Sequence, residues 1–88
     1  MQFYSTTLNN GDSLVINRTD GAQQVSIEPN LGSSATFLGN LPFKGQSPTA
    51  IILDANQILT ISSNTPTSPL DGITITCTSG TTDIIVGV

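Results

Sequence analysis

The sequence predicts an all-β domain: a small antiparallel β-sandwich, jelly-roll-like or Greek-key, of seven or eight short strands. Three observations lead there. No stretch holds apolar residues at helical spacing over three turns, so amphipathic helices are missing. Segments rich in Ile, Val and Thr recur at intervals of about 8–12 residues, separated by Gly, Asn, Asp and Pro. Finally, 25 of the 88 residues are Ile, Leu, Val or Phe, above the roughly 20% typical of disordered chains. Residues 1–88 make one domain, because a chain this short buries only ~60–65% of its unfolded surface and supports a single modest core.

Taken in order, residues 2–8 form the first strand, with Phe3 and Tyr4 on opposite faces. Asn9-Asn10-Gly11-Asp12 is a turn, since Asn-Gly supplies the positive φ that tight turns need. Residues 13–17 are a short strand, closed by Arg18-Thr19-Asp20-Gly21. Residues 23–29 alternate, Val25 and Ile27 against Gln24, Ser26 and Glu28, and these three strands read as an antiparallel meander. A fourth strand is placed over residues 34–38, followed by a long loop to residue 49. Residues 49–53 and 57–62 flank Asp54-Ala55-Asn56 as a hairpin. Two prolines, Pro66 and Pro69, stiffen the connector that follows. Ile73, Ile75 and Cys77 share one face of a strand over residues 73–78, with Thr74, Thr76 and Thr78 opposite. Ser79-Gly80 turns it into a last hairpin with residues 81–88. Leu14-Val15-Ile16-Asn17, Leu59-Thr60-Ile61-Ser62 and Ile73-Thr74-Ile75-Thr76 look alike, which reflects shared strand patterning.

Composition excludes most chemistry. Only 9% of residues are charged, against roughly 25% in an average domain, and 35 are Ser, Thr, Asn or Gln. Arg18 and Lys44 are the two basic residues, too few to neutralise a run of phosphates, so no nucleic-acid partner is expected. The longest apolar run, residues 50–53, is far short of the ~20 residues of a membrane span. The chain opens with no basic or apolar leader, and its single Cys77 suits a reducing cytosol. Without histidine there is no nucleophile–histidine constellation, and the protein is expected to be no enzyme and to need no cofactor.

Asp12, Asp20, Asp54 and Asp71 lie with Gly or Asn in the expected turns, where aspartate bonds its own backbone. Asp54-Ala55-Asn56 is the nearest approach to a calcium loop and offers two ligands only, so no metal site is assigned. Cys77 continues the inward face of Ile73 and Ile75 and reads as a small buried hydrophobe. The four aromatics, Phe3, Tyr4, Phe37 and Phe43, leave room for a weak glycan site at most.

The strongest candidate surface is Phe37-Leu38-Gly39-Asn40-Leu41-Pro42-Phe43. Its four large apolar side chains, Phe37, Leu38, Leu41 and Phe43, show no strand alternation, and Gly39 and Pro42 interrupt a ladder. Exposed, they would form a patch that monomers seldom tolerate. They lie either over the open end of their own core or against a partner, and the low surface charge favours the partner. Residues 50–53 and 83–86, aliphatic on both faces, add to that expectation unless they are central strands.

Gly45-Gln46-Ser47-Pro48-Thr49, Leu70-Asp71-Gly72-Ile73-Thr74-Ile75 and the closing Gly80-Thr81-Thr82-Asp83-Ile84 resemble segments of small β-rich virion proteins of tailed bacteriophages. Capsid decoration (cement) proteins and head-spike base proteins often end in a similar strand. The resemblance spans the second half of the chain. It implies a non-enzymatic structural protein, usually a homotrimer, made in the host cytoplasm and seated on the outer capsid surface. There it would clamp neighbouring copies of the major capsid protein. Tail and spike components share this composition, and a glycan- or receptor-binding module is the alternative; a regulatory domain that does not self-associate is a third class.

Overall fold

The computed structural model describes residues 2–40, 44–63 and 67–88. These residues form eight strands: β1 (Phe3–Asn9), β2 (Ser13–Ile16), β3 (Gln24–Pro29), β4 (Ser34–Gly39), β5 (Ile51–Asp54), β6 (Leu59–Ser62), β7 (Ile73–Ser79) and β8 (Thr81–Gly87). They stack as two four-stranded sheets, ordered β1-β8-β3-β6 and β2-β7-β4-β5, and every pairing is antiparallel. The all-β sandwich expected from the strand rhythm is what forms, and this strand order is that of the eight-stranded jelly roll.

The order has a simple origin. β1 pairs with β8, β2 with β7, β3 with β6 and β4 with β5, so the strands pair as one long antiparallel ribbon whose two halves meet at β4 and β5. Wrapping that ribbon brings β3 against β8 and β4 against β7, which closes each sheet. The local pairings read from the sequence are therefore overturned. There is no β1–β2–β3 meander, and neither β5–β6 nor β7–β8 is a hairpin; those strands sit in opposite sheets. β4 and β5 are the one consecutive pair that shares a ladder.

The tight turns act as corners between the layers. After Asn9, Gly11 N–H donates to the Cys77 carbonyl at 2.8 Å and Cys77 N–H donates to the Asp12 carbonyl at 3.0 Å. The chain has thus already joined the other sheet by residue 12. Gly80 makes the return crossing with φ +69°. A Cβ built there would lie 2.1 Å from Ser33 Oγ, so glycine is required by both backbone and space. Ser33 Oγ in turn accepts the Thr81 N–H at 3.0 Å.

The core lies between the inner faces. Val25, Ile27 and Ile84 of one sheet meet Ile75, Cys77 and Ala35 of the other, all fully buried. Burying each Ile is worth ~1.5–3 kcal/mol. Cys77 sits inward with Ile73 and Ile75, as the alternation requires, and its thiol lies within reach of the Ser79 and Gly80 carbonyls. Thr82 also points inward, and its Oγ1 has no hydrogen-bond partner among the described residues.

Candidate interaction surface

Phe37 and Leu38 do not form one patch. Both belong to β4, which is hydrogen-bonded on each side, and Gly39, the last residue of the strand, is still paired, with Ile73. Adjacent strand residues point to opposite faces. Phe37 is opposite Ile75 and packs half-buried against the core, while Leu38 is opposite Thr74 on the outer face. Leu41 and Phe43 lie outside the described residues. Of the apolar run, Leu38 is the member placed on an outward surface.

That surface is the outer face of the β2-β7-β4-β5 sheet. Register places Val15, Thr74 and Leu38 in one row across three strands. Ser13, Thr76, Thr36 and Ile52 form the next row, across four. Val15 is 50% and Ile52 68% exposed. None of these seven side chains ionises; the nearest carboxylate on the face, Asp54, stands at its margin and accepts from Ser34 Oγ at 3.1 Å. The hydroxyls are bonded sideways. Ser13 and Thr76 share a 2.8 Å bond, and Asn40 Nδ2 donates to Thr74 Oγ1 at 2.7 Å.

The opposite outer face differs. Asp83 of β8 stands directly across from Glu28 of β3, and Thr7 Oγ1 donates to Asp83 at 2.8 Å. Like charges so placed oppose each other, by ~0.2–1 kcal/mol. The remaining aspartates hold loops. Asp12 accepts from Asn9 N–H at 3.0 Å, Asp20 from Asn17 N–H at 2.7 Å, and Asp71 from Arg18 N–H at 2.9 Å. Asp54 N–H donates to Gln57 Oε1 at 2.7 Å. Among the described residues, no group of three or more carboxylate or thiol side chains gathers as a metal centre would.

Sequence reading missed the threonine-and-aliphatic face because its members come from four strands. The signal for it was the outward series Thr74 and Thr76, whose neighbours the wrong strand pairing concealed. No protein family, no curated protein and no solved structure matches this chain.

Proposed function

We propose that the protein is a non-enzymatic structural component of a tailed-phage virion, a capsid decoration (cement) protein that trimerises on the outer capsid surface and bridges adjacent major capsid subunits. The observation that carries this reading is the outer face of β2, β7, β4 and β5. Removing water from charged groups is costly, and the cores of protein interfaces are depleted of charge. Val15 and Ile52, with the half-buried Leu38 between them, offer apolar area there, and hydroxyls bonded to one another, such as Ser13 with Thr76, lose little when water leaves. The jelly-roll order adds support of a weaker kind, since viral capsid domains use it and lectins do too.

The test is to identify the chain by mass spectrometry in particles purified on a density gradient, and to repeat it with Leu38→Lys/Ile52→Lys. The expected result is wild-type chain in the particles and folded variant left in the soluble fraction. Absence of the wild-type chain from particles, with glycan binding by the free protein, would replace this reading with the receptor-binding one.

A further inference from the structure

Every open sheet has two edge strands, and here they are β1, β6, β2 and β5. The last three have four residues each, whereas β1 has seven. Long, flat, uncharged edges invite another strand, and proteins normally blunt them with lysine, proline or a bulge. Residues 2–11 contain no charged residue and no proline, and the β1–β8 register runs without a bulge.

The hydrogen-bond phase tells which groups are free. Gln2 and Val88 exchange both bonds, Gln2 N–H to Val88 O at 2.9 Å and Val88 N–H to Gln2 O at 2.8 Å. In an antiparallel ladder such pairs alternate. Gln2, Tyr4, Thr6 and Leu8 therefore direct their backbone groups to β8, and Phe3, Ser5, Thr7 and Asn9 direct theirs away. Asn9 is already occupied: its N–H donates to Asp12 Oδ2 at 3.0 Å and its carbonyl accepts Asp12 N–H at 2.9 Å. Among the described residues, the open edge is thus Phe3, Ser5 and Thr7, centred on Ser5.

We propose that β1 pairs antiparallel with β1 of a second copy about a two-fold axis at Ser5, joining two four-stranded sheets into one of eight strands. This register is the one that engages all three open residues: Ser5 with Ser5, and Phe3 with Thr7 in both directions. It forms six backbone hydrogen bonds and stops where Asp12 caps Asn9. No charges meet at the axis. Tyr4 shares the inward side of β1 with the buried Leu8 yet is 55% exposed. In the paired state it lies beside the partner copy's Thr6 on the same side. The inference does not rest on the virion reading; in a trimer the contact joins one trimer to another.

Three variants test it on the full chain by light scattering. Ser5→Pro removes an edge N–H that β8 does not use and suits an edge strand. It is expected to halve the wild-type mass while the chain stays folded, with a cooperative thermal transition whose midpoint no longer depends on protein concentration. Ser5→Lys leaves the backbone intact and places two ammonium groups at the axis, so it is expected to dissociate the pair at low salt and recover it at high salt. Ser5→Cys is expected to give one cross-linked dimer on mild oxidation, because directly opposed strand residues lie ~5.5 Å apart, within disulfide reach. A wild-type mass of one chain at high concentration, an unchanged mass in folded Ser5→Lys, or no cross-link in Ser5→Cys overturns the proposal. Loss of capsid binding with dimerisation intact, or the reverse, separates this contact from the face that carries the proposed function.

Discussion

β7 and β8 are separated by one residue, have seven residues each, and are built on opposite plans. β7 keeps strict alternation, Ile73, Ile75 and Cys77 inward and threonines outward. β8 breaks it twice, with Thr82 buried and Ile85 left 47% exposed. Each is the strand through which its sheet is closed, flanked on both sides. The difference teaches that being central in a sheet does not require clean amphipathic patterning. A central strand gains ladder bonds on two sides, which tolerates one polar residue inside and one apolar residue outside.

The comparison breaks most sharply at the core. Ile75→Ala in β7 and Ile84→Ala in β8 both empty a fully buried site. Each is expected to cost ~2–5 kcal/mol in chemical denaturation. Similar losses would show that the irregular strand is as firmly packed as the regular one; a loss under ~1 kcal/mol at Ile84 would show it is not. Gly80→Ala strikes the corner between them. Its positive φ and the 2.1 Å approach to Ser33 Oγ predict a loss of about 2 kcal/mol, read from the thermal midpoint.

A smaller effect with the opposite sign is expected at Thr82. Its hydroxyl is buried without a partner among the described residues, so Thr82→Val is expected to remove a desolvation cost and raise stability by about 1 kcal/mol. Destabilisation there would mean the hydroxyl has a bonding role. The smallest effect belongs to Ile85→Thr, which gives β8 the outward chemistry of β7. Stability is expected to move by less than about 0.5 kcal/mol and the assembled mass not at all.

These two strands also mark how far sequence patterning reaches. The ends of both were legible to within a residue, as was the inward set Ile73, Ile75 and Cys77. Their partners were not. Alternation reports which face a side chain takes, and a tight Ser-Gly turn looks the same whether it joins neighbours in a ladder or turns a corner between layers. The choice is made by contacts distant in sequence, such as Gly11 with Cys77 and Thr81 with Ser33. The candidate surface suffered from the same blindness. Phe37-Leu38 lacks alternation because both faces of β4 are used, one by the core and one by the outer row, so a strand placed correctly over residues 34–38 did not tell which of the two side chains faced out. Leu38 was reached for the wrong reason, and Val15, Thr36 and Ile52 became visible only once β2, β7, β4 and β5 stood side by side.

The long wrapped ribbon also dictates the kinetics. Phe3 must find Gly87 across nearly the whole chain, whereas Phe37 finds Ile51 close by. Topologies dominated by such distant pairings fold in milliseconds to seconds. Folding is expected to nucleate at β4–β5 and zip outward, so Leu53→Ala should slow folding and Leu8→Ala should chiefly speed unfolding, as stopped-flow chevrons would show. The strand with the longest uncharged edge is therefore the last to gain its β8 partner. During synthesis β1 emerges first and waits for β8, the strand made last, so its unpaired edge is the one exposed longest before the fold closes.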